Sequence, residues 1–269
     1  MNLPGEAERN HSTQARPRRN KSRDRGTMLP MPKPTPKPAA AASARVRRGY
    51  FESRYGQLHL HNAMPPGGGF EEGTPLLCLH DCPGSGRSFT PFLALAGRER
   101  SVYAPDLPGF GESDGPVARP SLADYVGALG DFLDHMRLRK LDVLGVRAGA
   151  LLAAELAIAR AGQVNRIVMV SVPLPVPGER PTGSAAPERP ELERWVLEAL
   201  GEGGVRTRLA RLPQKLLVLR PRDDLWEATA RVRDVLPAAR MMDLELSGEA
   251  LLAHSPARLS ESVRDFLRG

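Results

Sequence analysis

Leu141-Asp142-Val143-Leu144-Gly145-Val146-Arg147-Ala148-Gly149 joins an apolar, strand-like run to two glycines that flank one charged residue. That spacing is the frame of a G-x-S-x-G turn. In such a turn a sharp strand-to-helix reversal pushes the middle side chain out at the top of a parallel sheet, and the glycines let neighbouring backbones approach closely. With serine in the middle the chemistry is nucleophilic attack on a carbonyl carbon. Here the middle residue is Arg147, which stays protonated at any ordinary pH and cannot attack. Cys82 would serve as a nucleophile only with a lowered pKa and a base beside it. His59 and His61 share one face of a strand, which suggests a metal pair, but no third ligand stands at a recognisable spacing. A solvent-facing pair is the expectation, and no metal or cofactor is implied.

The elements that must position these residues follow from periodicity. Two strands joined at Gly56 fit Tyr50–Ser53 and Leu58–His61, and Thr74–His80 is a buried strand ending in the tight Pro83–Gly86 loop. A helix is expected over Phe89–Ala96 and a strand over Ser101–Ala104, followed by a loop dense in turn residues, Asp106–Asp114. Ser121 and Asp124 form a capping box for a helix whose apolar residues Leu122, Tyr125, Val126, Leu129, Phe132, Leu133 and Met136 lie on one face. Ala148–Ala159 is apolar nearly all round and belongs in the middle of the fold. Further strands are expected at Ile167–Val172, Leu216–Leu219 and Met242–Leu246, with helices near Glu191–Leu200, between the last two strands, and over Ala257–Leu267. Alternating strands and helices imply an α/β fold: a mostly parallel central sheet with helices on both faces.

The chain has 269 residues and a net charge of +7, with 41% hydrophobic residues, enough for a sizeable core. The charge is unevenly placed. Residues 1–48 hold 12 Lys or Arg against 3 Asp or Glu, leaving 26 against 28 for residues 49–269. The folded part is near neutral, so a general nucleic-acid surface is not supported, and contact with nucleic acid could come only through the tail. Residues 1–48, with prolines alternating from Pro30 to Pro38, read as a disordered basic tail. They are a solvated overhang, an upstream extension before a start at Met28 or Met31, or an arm for nucleic acid or anionic lipid. No apolar run is long enough to span a bilayer. Cys78 and Cys82 form no disulfide framework, and with no apolar leader a reducing cytoplasmic setting is the default.

Three loops in order, His80-Asp81-Cys82-Pro83-Gly84-Ser85, Asp106-Leu107-Pro108-Gly109-Phe110-Gly111-Glu112-Ser113 and Gly145–Gly149, resemble those of the α/β-hydrolase fold superfamily over residues 49–269. The resemblance implies that Arg147, Asp224 and Glu249 occupy the triad positions, with Asp223 and His254 as alternatives, and that the amides of Cys82 and Ala148 form an oxyanion hole. Asp81 stands where the family has glycine and could bring a carboxylate near that hole. A short cap is expected between Val172 and Lys215. The reading is a degenerate member that binds a small-molecule ligand or a protein partner without serine-hydrolase activity. The alternative is an enzyme using Asp224, His254 and the oxyanion amides. Arg147 is expected to bridge Asp224 and Glu249, as a structural lock or as a centre for an anionic ligand.

Overall fold

The computed structural model describes residues 44–67, 73–176, 190–201 and 204–268. The tail reading for residues 1–48 falls almost wholly outside them, as does much of the expected cap. Eight strands form one sheet: β1 (Arg47–Ser53), β2 (Gly56–Ala63), β3 (Leu76–Leu79), β4 (Val102–Pro105), β5 (Leu141–Val146), β6 (Val164–Val170), β7 (Lys215–Pro221) and β8 (Arg240–Leu244). Their order across the sheet is β1-β2-β4-β3-β5-β6-β7-β8. The first two pairings are antiparallel and the rest parallel. This is the expected α/β architecture. The sheet begins at Arg47 with Ala44 already buried, slightly earlier than the change in composition suggests. β8 lies two residues before the expected Met242–Leu246.

Among the described residues the helices are α1 (Thr90–Ala96), α2 (Leu122–His135), α3 (Ala148–Ala159), α4 (Pro190–Gly201), α5 (Val205–Leu209), α6 (Trp226–Ala230), α7 (Val232–Val235), α8 (Gly248–Ala253) and α9 (Pro256–Arg268). Strand alternation divides the core between the two faces of the sheet. Val143 points with Leu129, Phe132 and Leu152 into one apolar layer, whereas Leu144 and Val146 point with Phe92, Leu251 and Leu259 into the other. Helix α2 opens with the capping box: Ser121 Oγ accepts from the Asp124 amide and Asp124 Oδ2 accepts from the Ser121 amide. Helix α3 is buried from Ala148 through Ala157, as its all-round apolar sequence requires. Its one acid in that stretch, Glu155, is paired with Arg208. Another buried pair, Arg100 and Asp142 at 3.2 Å, ties the start of β4 to β5, with Asn165 donating to the second Asp142 oxygen.

One expectation about the early strands changes. His59 and His61 share a face of β2, but that face is covered: the side of β2 that also carries Ala63 packs towards the α1 layer and the loop after β4. His59 is 1% and His61 6% exposed, so they are not a solvent-facing pair. Nearest-neighbour spacing could not reveal this, because the covering loop, 106–114, lies far away in sequence.

Candidate functional site

Parallel strands deliver their following loops to one edge of the sheet, and where the strand order reverses those loops part to leave a crevice. Here the loop after β3 brings Asp81, the turn after β5 brings Arg147, and Ser171 follows directly on β6. The loop after β7 brings Asp223 and Asp224, and α8 after β8 begins with Gly248 and Glu249. These residues line one cavity of about 360 Å3 together with Pro83, Gly84, Ser88, Val146, Ser247 and Leu252.

The turn has the tight geometry that its glycines allow. Arg147 sits at φ 53°, ψ −116°, a conformation rare for any residue with a side chain. Its amide donates to Val170 O and its carbonyl accepts from Ala150, so the reversal is pinned on both sides. A Cβ on Gly145 would lie 2.2 Å from Gly149 O, and one on Gly149 would lie 2.2 Å from Leu79 O. Only glycine lets β3, β5 and α3 come this close.

The Arg147 side chain turns into a carboxylate cluster. Nη1 and Nη2 donate to Asp224 Oδ1 and Oδ2 at 2.8 and 2.9 Å, a bidentate pair, and Nε lies 2.9 Å from Asp81 Oδ2. The expected contact with Asp224 is therefore present. The second carboxylate is Asp81 instead of Glu249: among the described residues Arg147 makes no ion pair with Glu249, which is exposed at the first turn of α8. The physical reason is reach. Asp81 lies on the loop of β3, directly adjacent to β5 in the sheet, whereas β8 is three strands away.

Asp81 also bears on the two amides assigned to an oxyanion hole. Its Oδ1 accepts from the Cys82 amide at 2.7 Å and from the Ala148 amide at 3.2 Å. Burial pushes the Asp81 carboxyl up to about 6, against the opposing pull of Arg147 and the two amides. The guanidinium holds the Asp224 carboxyl below its usual range by hydrogen bonding, and Asp224 in turn raises Arg147. Asp224 remains 69% exposed on its side chain, so this ion pair lies at the cavity mouth and not in the core.

The two adjacent aspartates divide their tasks. Asp223 Oδ2 accepts from Ser171 Oγ at 2.6 Å and Oδ1 accepts from the Leu225 amide, which braces the β7 loop against the end of β6. Ser171, fully buried and at φ 51°, lines the cavity and was not among the sequence candidates; its serine at a strand end gave no signal that far from any motif. His254 is exposed at the C-cap of α8 and does not line the cavity. Cys82 is buried with a free thiol whose pKa burial pushes well up, the opposite of what a nucleophile needs. His80 is a positioning residue: its Nδ1 lies 2.6 Å from Asp81 O and its Nε2 accepts from the Leu107 amide, clamping the β3 loop to the β4 loop.

Among curated proteins, the chain is 36% identical over 105 residues to a 2-hydroxymuconate semialdehyde hydrolase of Pseudomonas putida, covering 37% of this chain and 36% of that one. It is 28% identical over 99 residues to an uncharacterized protein of Mycobacterium tuberculosis (strain ATCC 25618 / H37Rv), covering 37% of this chain and 29% of the other. The match thus spans about a third of the length of these relatives. Among solved structures, a carboxylesterase from Bacillus subtilis superposes with TM-score 0.65 at 17% identity, covering 83% of this chain and 92% of that one. The enol-lactonase from Burkholderia xenovorans LB400 gives 0.66 at 16%, covering 82% and 100%. Such identities speak for the fold alone. The family model described as alpha/beta hydrolase fold matches residues 74–241, a segment that contains Asp81, Arg147 and Asp224 and ends before Glu249. That match covers more than half of the chain, and the three loops it contains meet at the sheet edge as that fold requires, so the protein belongs to the alpha/beta hydrolase fold family.

Proposed function

We propose that this protein is a non-catalytic member of its family, a pseudo-hydrolase that binds a small-molecule ligand or a protein partner at the cavity around Arg147. One observation carries the reading: Arg147 stands at the turn between β5 and α3, held by Asp224 and Asp81, while Asp81 Oδ1 takes both amides that would otherwise receive a developing oxyanion. A guanidinium cannot add to a carbonyl, and a resident carboxylate competes with any incoming oxyanion for the same two donors. Asp81, Asp223, Asp224 and Glu249 face one Arg147 around the cavity, so the lining is acidic in balance and favours a neutral or cationic ligand over a carboxylate or phosphate. Of the two roles open to the cluster, this favours the structural lock over the anion centre. A cytoplasmic setting accords with two free thiols.

The rival reading is hydrolysis by a non-standard constellation of Asp224, His254 and the oxyanion amides, and it draws on the local identity to a hydrolase. Fluorophosphonate labelling and turnover of p-nitrophenyl esters separate the two. The pseudo-hydrolase should show neither labelled serine nor turnover above the uncatalysed rate. Robust turnover abolished by Asp224→Ala would overturn the proposal. Nor should Arg147→Ser alone create activity, because Asp81 still fills the amide pair and Glu249 supplies no imidazole to accept and return a proton.

A further inference from the structure

A second cluster lies away from the cavity, on the covered face of β2. His59 Nδ1 is 3.0 Å from Asp106 Oδ2. Asp106 is otherwise an acceptor, taking the Gly86 amide on Oδ1 and the Glu112 amide on Oδ2. The hydrogen between His59 and Asp106 therefore sits on Nδ1, and the lone pair of His59 is left on Nε2. That Nε2 is buried with no hydrogen-bond partner, and so is His61 Nδ1. The two rings are edge to face with centroids 4.6 Å apart. Glu112 Oε2 lies 4.0 Å from His59 Nε2 and accepts from Tyr50 Oη at 3.1 Å. Two imidazole nitrogens left without a partner, on rings nine-tenths or more buried, are costly unless something pairs with them.

We propose that His59, His61 and Glu112 bind one divalent transition-metal ion of the zinc class, with Asp106 orienting His59 from behind. Two imidazole nitrogens and a carboxylate oxygen form a donor set suited to zinc and its neighbours and poorly suited to magnesium or calcium, which take oxygen. The Asp106–His59 contact is the carboxylate–histidine arrangement that fixes the ring and raises ligand basicity at metal centres. Ligands on zinc at about 2.0–2.1 Å and tetrahedral angles stand about 3.3 Å apart, so the 4.0 Å gap must close slightly. Glu112, 55% exposed on its side chain, is free to make that movement. One polar atom each of His59, His61 and Asp106 lie within 4.8 Å of one another, so the orienting carboxylate and the two rings form one compact cluster. Arg48, 3.9 Å from Glu112 Oε1, is a cation that the ion would have to displace or tolerate. It is 67% exposed and can swing away.

The test is titration of untagged, chelator-treated full-length protein with Co2+, read by its visible d–d absorption, followed by displacement with Zn2+. One ion per chain, displaced by Zn2+ and not by excess Mg2+, is the expected result. His61→Ala should weaken binding at least 100-fold, and the surface substitution Glu112→Gln at least tenfold with an unchanged melting temperature in chelator. His254→Ala should leave binding unaltered. No saturable binding to the wild-type protein overturns the site, as does binding that survives His61→Ala or Glu112→Gln. Should His61→Ala not fold, Glu112→Gln alone decides.

Discussion

Asp81→Ala removes the carboxylate that joins Arg147 to the amides of Cys82 and Ala148, and its consequence is best read as a function of pH. The Asp81 carboxyl ionises at about 6 in the folded protein, against 3.8 for the free side chain, because burial disfavours the charged form more than Arg147 and the amides favour it. Linkage then gives the sign. Between those two values the folded state holds a proton that the unfolded state has released, so stability rises as the pH falls through this window and is lowest above the folded value. At full effect the difference from 3.8 to about 6 corresponds to about 3 kcal/mol. The Asp81 side chain is 29% exposed, and solvent screening reduces this to about 1 kcal/mol by pH 5 and about 2 kcal/mol near pH 4.

The assay is urea denaturation of wild type and variant at pH 7.5, 6, 5 and 4. The observable is the wild-type stability minus that of Asp81→Ala, which we expect to grow on acidification by the amounts above. Buried His61 and His80, whose pKa values are lowered mainly by desolvation, act the other way, since the unfolded state takes up their protons first. They are present in both proteins and cancel in the difference. Asp224, held below 3.8, loses its contribution only below this range. A difference that is flat from pH 7.5 to 4, or that shrinks on acidification, would refute the picture of Asp81 as a carboxylate held against its burial.

Three further outcomes are expected. In a double-mutant cycle, Arg147→Ala should cost about 1–2 kcal/mol and Asp224→Ala about 0.5–1 kcal/mol, less than the loss of a buried pair because Asp224 is largely exposed; urea midpoints showing more than about 3 kcal/mol for either would contradict this. Arg100→Ala strands Asp142, which is fully buried, and should cost about 3–5 kcal/mol by the same measurement, and Asp142→Asn strands the buried Arg100 guanidinium in turn and should also destabilise. Cys78 and Cys82 should resist a thiol reagent such as DTNB at pH 8 in the native protein and react only on unfolding; rapid native modification of Cys82 would reopen its candidacy as a nucleophile.

Local sequence pattern carried the parts of this fold that local physics decides. The capping box at Ser121 and Asp124 and the all-apolar run Ala148–Ala159 specify α2 and α3 almost to the residue, because caps and periodicity act within one or two turns. The meeting of Arg147 with Asp224 was legible for another reason: both follow parallel strands, and such strands send their loops to one edge. What stayed hidden depends on residues distant in sequence. The burial of His59 and His61 is set by a loop some fifty residues later, and the bracing of Asp223 by Ser171 joins the ends of β6 and β7. The choice of Asp81 over Glu249 turns on strand order, which places β3 and not β8 beside β5. Pattern gave the elements and their edge; order across the sheet decided which neighbours touch.

The backbone at Arg147 bears on why the cluster persists. A non-glycine residue at φ 53°, ψ −116° costs on the order of 1–3 kcal/mol and is kept only where its surroundings over-determine it. The surroundings here are the Val170 carbonyl, the close approach at Gly145 and Gly149, and two carboxylates gripping three N–H groups of the guanidinium. The first two belong to the main chain and would hold the turn whatever side chain it carried. The carboxylate grip depends on arginine, and it also keeps Asp81 on the Cys82 and Ala148 amides. Side chain and loop are therefore coupled: releasing Arg147 should loosen Asp81, while the strained turn itself stays in place. Arg147→Gly tests that separation, because glycine relieves the dihedral cost and deletes the guanidinium together. If the turn is held by the main chain, Arg147→Gly should be more stable than Arg147→Ala by about 1 kcal/mol, the relief of a positive φ, although both lose the same ion pairs. Equal stability of the two variants would mean that the turn relaxes once the guanidinium is gone, and that the carboxylates, not the glycine frame, maintain it.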